Sequence, residues 1–560
     1  MYLATLIVVS LGTFAARSEC AQTNGTNHYV TTTIQTGVVR GRSLNVNGKT
    51  IDTYYGIPYA EPPLGTLRFK PPAPASPWTG VRDALVPSRR CVQFQYPGYQ
   101  DFSPQSEDCL YINVHAPTRS SQNASSPVMV WIHGGGYRNG QGAVYGGSRL
   151  ASKDVIVVTF NYRLDALGFL STEDYVMPGN YGMLDMVAAL KWVNINIASF
   201  GGDPQRVTIF GESAGSSSVS LLQLSPLARG LFQGAIMQSG VSLAPWAYAH
   251  PARAVSHSLF ARLLAAQLGC ASASNSQVVT CLQAVDAERL VNASWSLTWV
   301  TAGTSLVMTP RVETLYGFLP DLPLRLMARG LFAHCNTIRG FNLNEGAFFV
   351  DNDTWSQFNS PQAFMAMASS SLSQFTIVDK DQIALDLADY YLYNISTDAL
   401  SYAQAVEAFS TDFNFVGPAI NEVEMASKAT QGEAHYLYRF SVRPESSSQP
   451  DWVVAIHTDE IAFVFGLGVE KWNSTLKSVS DSVMEMWTNF AKSGDPNCPR
   501  AIGCSAGPWK PFLENHQNML DFRVAGSSLD QFEEQTVTGA YFGLMQRIDT
   551  AIDPSSIVIG

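Results

Sequence analysis

"RVTIFGESAGSSSVSLLQL", from Arg206 to Leu224, joins two kinds of pattern at one serine. "RVTIF" is a β-branched and aromatic run of strand type. Beyond Gly215, "SSSVSLLQL" can continue as a helix packed on a sheet. Between them "GESAG" fits Gly-x-Ser-x-Gly, in which small flanking residues permit a strained strand-to-helix turn that exposes the Ser213 hydroxyl. A second match, "GCSAG" at 503–507, has no strand entering it, and Pro508 and Pro511 break up any helix leaving it. Ser505 therefore reads as a surface loop residue, and Ser213 as a nucleophile.

Working outward, strand-like and helical runs alternate. "VMVWIH" (Val128–His133) and "VIVVTFNYRL" (Val155–Leu164) are continuous apolar runs of buried-strand type. "GMLDMVAALKWVNINIASF" carries apolar residues at helical spacing and stops at Gly201 and Gly202. "GAIMQSG", "CNTIRGFNLNEG" and "AHYLYRFSV" read as later strands. This alternation predicts an α/β fold: a large, mostly parallel sheet with helices on both faces and ligands beyond the strands' C-terminal ends. The length invites several domains, but no linker, repeat or low-complexity tract divides the chain.

A serine hydroxyl needs a base to take its proton and donors to hold the oxyanion it creates. "WIHGGGY" ends a strand at His133 and offers Gly134, Gly135 and Gly136, whose N–H groups can approach a substrate oxygen together with that of Ala214. The order serine, acid, histidine places the base late, at His435, His457 or His516. His457 ends the apolar run "WVVAIH" and opens a polar turn, which suits a site loop. Glu345, Asp351 and Asp353 all lie near a strand end, and spacing does not rank them.

Charged residues make up 14% of the chain and hydrophobic ones 46%, ample for a globular core. The net charge of −11 comes without a basic cluster, which argues against nucleic acid as a partner. "MYLATLIVVSLGTFAA" followed by "RSECAQ" reads as a secretory signal cleaved near Ala21, giving a leader at 1–20 and one domain at 21–560. No later stretch resembles a membrane span, and "DPSSIVIG" lacks the tail of a lipid anchor. Secretion fits the sequons at Asn24, Asn123, Asn292, Asn352, Asn394 and Asn473. It also fits close cysteine pairs that can each close a loop: Cys91 with Cys109, Cys270 with Cys281, and Cys498 with Cys504. Once Cys20 leaves with the signal, Cys335 remains as a free buried thiol.

These segments together resemble the type-B carboxylesterase/cholinesterase family, which has the α/β-hydrolase fold. "YYGIPYAEPPLGTLRFKPPAP", "SEDCLYINV", "VMVWIHGGGY", "NYRLDALGFL", "GNYGMLDMVAALKWV", "NIASFGGDPQRVTIFGESAGSSSV", "GFNLNEGAFF" and "IHTDEIAFVFG" stand in the family's order. The resemblance implies Glu345 as the acid, His457 as the base, and Gly135, Gly136 and Ala214 as oxyanion donors. It supports the disulfides Cys91–Cys109 and Cys270–Cys281, and suggests ion pairs of Arg68 with Glu107 and of Arg163 with Asp203. Glu212 and Ser218 match a buried polar pair beside the nucleophile. Trp246 and Phe349 match acyl-pocket positions, and Phe348 a gorge aromatic. No metal or organic cofactor is implied, and the expected partner is a small-molecule ester, with homo-oligomer formation left open.

Cholinesterases place a tryptophan in the first disulfide loop to hold a quaternary ammonium. Here "CVQFQYPGYQDFSPQSEDC" has none, although Phe94, Tyr96, Tyr99 and Phe102 remain; Asn352 replaces a further aromatic, and Met186 a glutamine. The expectation is a secreted serine carboxylesterase. Cholinesterase-like or lipase-like activity, or a non-catalytic neuroligin-like adhesion module on the same fold, are the alternatives.

Overall fold

The computed structural model describes residues 28–95, 104–118, 125–301, 306–349, 355–375, 379–497, 509–513, 515–524 and 528–531. The chain opens with β1 (Tyr29–Ile34), β2 (Gly37–Val46), β3 (Lys49–Pro58) and the short β4 (Val81–Asp83). β5 (Arg90–Cys91) and β6 (Gln105–Ser106) form a separate two-stranded ribbon. β7 (Tyr111–Pro117), β8 (Ser126–Ile132), β9 (Ile156–Phe160), β10 (Gly202–Glu212), β11 (Gly234–Gln238) and β12 (Asn336–Asn342) follow. β13 (His435–Ser441), β14 (Asn518–Arg523) and β15 (Ser528–Gln531) complete the described strands.

Apart from the ribbon, these strands form one sheet in the order β1-β2-β3-β7-β9-β8-β10-β11-β12-β13-β14-β15, with β4 alongside β2. From β9 through β14 every pairing is parallel. This is the predicted α/β architecture, extended by antiparallel strands at both edges.

The apolar runs of the sequence are strands buried on both faces, as a parallel sheet requires. Along β8, Val128, Val130 and Ile132 enter one core, while Met129 and Trp131 enter the other. Helices Tyr181–Asn196 and Ala214–Leu224 cover the first face through Met183, Val187, Leu190, Val219 and Leu222. Helix Ser474–Ser493 covers the second through Leu476, Val483, Trp487 and Phe490. That helix starts where the Asn473 side chain accepts the Leu476 N–H at 2.9 Å and stops at Gly494, with φ 76. After β8 the chain moves to β9 on one side and then returns to β10 on the other. Such a reversal leaves a crevice between neighbouring strand ends, and the site is built there.

Cys91–Cys109 and Cys270–Cys281 are disulfides, and Cys335 is a free, buried thiol that accepts from Gln223 Nε2 at 3.4 Å. Cys498, Cys504 and Ser505 lie outside the described residues. Arg68 pairs with Glu107 as expected, at 2.5 Å. Arg163 does not pair with Asp203. Its guanidinium grips Asp185 of helix Tyr181–Asn196 at 2.7 and 2.8 Å, fully buried. Asp203 lies partly exposed at the start of β10, three residues before Arg206, and takes that local partner at 2.9 Å. Of the sequons, Asn292, Asn394 and Asn473 are exposed; Asn24, Asn123 and Asn352 lie outside the described residues. No described helix is long and apolar enough to cross a membrane.

Candidate active site

Ser213 stands between the last residue of β10 and helix Ala214–Leu224, with φ 57 and ψ −124. A non-glycine residue there is strained and persists only when its surroundings fix it. Its N–H donates to Gln238 O at the end of β11, 2.9 Å away. Gly215 is required by close approach: a Cβ there would lie 2.0 Å from Ile132 O at the end of β8. Ala214 opens the helix, so its N–H has no intrahelical acceptor.

The glycine triplet leaves β8, the neighbour of β10. Gly135 and Gly136 adopt φ 101 and φ 60. A Cβ at Gly134 would lie 3.0 Å from Ser213 Cβ, so this turn runs beside the serine.

Glu345 follows β12, and His457 lies in the loop after β13. The Asn342 N–H donates to Glu345 Oε1 at 2.7 Å, while Glu345 Oε2 faces His457 Nδ1 at 2.6 Å. The other ring nitrogen, Nε2, faces Glu212 Oε1 at 3.1 Å, next to Ser213 in sequence. Glu212, Glu345 and His457 are all buried.

The other histidines are occupied elsewhere. His435 is held within the sheet between the Thr337 and Thr430 hydroxyls, at 2.7 and 2.8 Å, and burial pushes it down to about 3. His516 is exposed at the Leu513–His516 bridge. Asp351 and Asp353 lie outside the described residues.

Burial opposes charge on His457, but the carboxylates of Glu212 and then Glu345 outweigh it and push the ring up to about 9. Burial likewise holds the Glu212 carboxyl well above its ordinary range and raises Glu460. His457, Glu212 and Glu460 thus each keep a proton to higher pH than the isolated side chain would.

Ser218 does not bond to Glu212: its hydroxyl donates to Ala214 O at 2.7 Å, the usual i−4 acceptor within a helix. Phe348 sets its edge against the His457 ring, with centroids 5.3 Å apart. Phe349 closes the turn Glu345–Phe349, but its side chain lies outside the description. Trp246 packs on Phe415 at 5.8 Å and donates through Nε1 to Asn414 O at 3.1 Å.

Several residues at the site escaped the sequence reading. Phe415 meets the His457 ring at 4.8 Å from a π-helical turn, Asp412–Val416. Hydrophobic spacing does not mark such a turn, although π-turns gather at functional sites. Glu460 accepts from Gln238 Nε2 at 3.0 Å and from Asn342 Nδ2 at 2.7 Å. The signal for it was present, since it stands three residues after His457 in "IHTDE". Trp295 is stacked on Phe94 at 4.8 Å and also carries the Arg138 guanidinium over its ring at 4.3 Å. Arg138 is in turn bound to Asp165 at 2.7 Å.

Sequence comparison agrees with this geometry. The profile of the Carboxylesterase family matches residues 28–538. The chain is 35% identical to the cholinesterase of Mus musculus over 523 residues, covering 89% of this chain and 84% of that one. It is 35% identical to carboxylesterase 5A of Felis catus over 525 residues, covering 89% and 91%. It is also 35% identical to the acetylcholinesterase of Bungarus fasciatus over 516 residues, covering 88% and 82%. With the α/β-hydrolase sheet described above, these matches identify the chain as a member of the carboxylesterase family, a family of carboxylic ester hydrolases.

Proposed function

We propose that this protein is a secreted serine carboxylesterase working through Ser213, His457 and Glu345. The observation that carries the reading is the 2.6 Å contact between His457 Nδ1 and Glu345, made beside a strained serine turn. A carboxylate at Nδ1 fixes the tautomer in which Nε2 is unprotonated and can accept the Ser213 proton. Oγ then attacks the ester carbonyl, and the N–H groups of Gly135, Gly136 and Ala214 receive the oxyanion. The alcohol departs with the proton from His457. A water deprotonated by the same ring clears the acyl-enzyme and restores the serine.

Residues 1–20 act as the leader, 21–560 as one catalytic unit, and the sequons as glycan acceptors. The acyl pocket is assigned to Trp246 and Phe349, and the gorge above it to Phe348.

A neutral ester suits the site better than a choline ester. Phe94, the described aromatic of the disulfide loop, is stacked on Trp295, and Trp295 already holds the Arg138 guanidinium over its ring, a cation where a quaternary ammonium would need an open aromatic face. Purified mature protein should therefore hydrolyse p-nitrophenyl acetate and butyrate faster than the palmitate ester or acetylthiocholine. A fluorophosphonate should label Ser213. Turnover no higher than that of a Ser213→Ala blank, with no labelling, would sink the esterase reading.

The pH dependence follows from the carboxylates around His457. The base must be neutral to act, and Glu212 is the foremost group raising its proton affinity. The rate is therefore lost as pH falls through a value above that of free imidazole. In Glu212→Gln the acid limb of kcat/KM should move to lower pH. An unmoved limb would mean that Glu212 does not control this proton.

A further inference from the structure

The turn that carries Glu345 is gripped on both sides by a single helix, Ala399–Thr411. Asn344 Nδ2 donates to Glu407 Oε2 at 3.2 Å. On the other side, the Gly346 N–H donates to Thr411 Oγ1 at 2.8 Å, and that hydroxyl donates to Glu407 Oε1 at 2.6 Å. One carboxyl thus collects the neighbour before Glu345 directly and the neighbour after it through a threonine. The approach is close: a Cβ on Gly346 would lie 2.7 Å from both Glu407 O and Ser410 Cβ, so glycine alone lets the turn dock here. Asn344 also receives the Val454 N–H on Oδ1 at 2.8 Å, and its own N–H donates to Ala455 O at 2.8 Å. Val454 and Ala455 lead directly into His457, so the same asparagine joins the acid's turn to the base's loop.

Glu407, Thr411 and Asn344 are all buried. Burial pushes the Glu407 carboxyl up to about 7, against the lowering donations of Thr411 and Asn344. Placing an ionisable group here is costly, and an apolar residue would hold two elements together more cheaply. Two properly aimed acceptors are what an apolar residue cannot supply.

We infer that Glu407 and Thr411 form a clamp of positioning residues that holds Glu345 in register with His457, so that catalysis depends on a helix remote in sequence from the triad. The inference rests on the reading of Glu345 as the acid of the reaction. A misplacement of about 1 Å can cost a reaction on the order of 10²-fold.

The test is a kinetic cycle on the full-length secreted enzyme with p-nitrophenyl butyrate. Thr411→Val removes the hydroxyl at nearly constant volume and should lower kcat about 10- to 100-fold with KM little changed. Thr411→Ser should restore it. In the Glu345→Gln background, Thr411→Val should cause no further loss, because the clamp acts only through Glu345. Glu407→Gln, which turns one acceptor into a donor, should resemble Thr411→Val; if it does not fold, the threonine pair still decides. Wild-type kcat in Thr411→Val overturns the clamp. So does a loss that persists undiminished in the Glu345→Gln background, since that is general loosening. Should Glu345→Gln itself keep full activity, the triad reading fails and takes the clamp with it; a crippled Glu345→Gln beside an unaffected Thr411→Val removes the clamp alone.

Discussion

Ser213→Ala should lower kcat for p-nitrophenyl butyrate by roughly 10⁶-fold while leaving KM within a few-fold, the size of loss seen when a serine hydrolase loses its nucleophile. That factor corresponds to about 8 kcal/mol of transition-state stabilisation. It is large because, in the proposed mechanism, the hydroxyl is where the covalent bond forms: without it neither His457 nor Glu345 has a step to assist. Binding should survive, since the residues proposed to hold the ester, the Gly135 and Gly136 turn, Trp246 and Phe348, are untouched. Roughly 10³- to 10⁴-fold acceleration over water is expected to remain from the oxyanion donors and substrate binding alone. Folding should be unaffected. The strain at φ 57 belongs to any L-residue, so alanine inherits it, and the Ser213 N–H keeps its bond to Gln238 O. Stopped-flow acylation, thermal unfolding and fluorophosphonate labelling of the same preparation separate these points. A folded variant retaining more than about one part in a hundred of the rate would place the nucleophile elsewhere.

How much of this was legible in sequence differs from element to element. β8, β9 and β11 announced themselves because strands buried on both faces must be apolar without interruption. Ser213 was legible because its turn imposes local rules, small residues between a strand and a helix. The glycine triplet was legible for a similar reason. Partners joined across the fold were not. Spacing could not choose among Glu345, Asp351 and Asp353, because which carboxylate meets His457 depends on where β12 ends relative to the loop after β13, and only the resemblance pointed to Glu345. Arg163 shows the limit of such a pointer: the expected partner, Asp203, is drawn to the nearer Arg206, while burial forces Arg163 to seek a carboxylate inside the protein, Asp185. Phe415 and Glu407 were invisible, since they act through a π-turn and a helix whose sequences look like ordinary packing.

Glu345→Gln should lower kcat by roughly 10⁴-fold, the scale on which a triad fails when its base is held in the wrong tautomer. The substitution keeps nearly the same shape, and the glutamine oxygen can still accept the Asn342 N–H. Its amide nitrogen then points at His457 Nδ1 as a donor. The ring can satisfy that donor only by giving up its Nδ1 proton and carrying it on Nε2, where the Ser213 proton must be received. The change also removes a negative charge that raises the proton affinity of His457, so the acid limb of the pH profile should fall. Raising the pH will not recover the rate, because the fault is where the proton sits and not how tightly it is held. Glu345→Asp separates the two effects: it keeps the charge but shortens the reach by one methylene, and its loss should be intermediate. Glu460 accepts from Gln238 and Asn342 through its two oxygens, and the carboxylate that meets His457 Nδ1 is that of Glu345. A loss of less than tenfold in Glu345→Gln would therefore turn attention to Asp351 and Asp353, the acids that the sequence alone had left in contention.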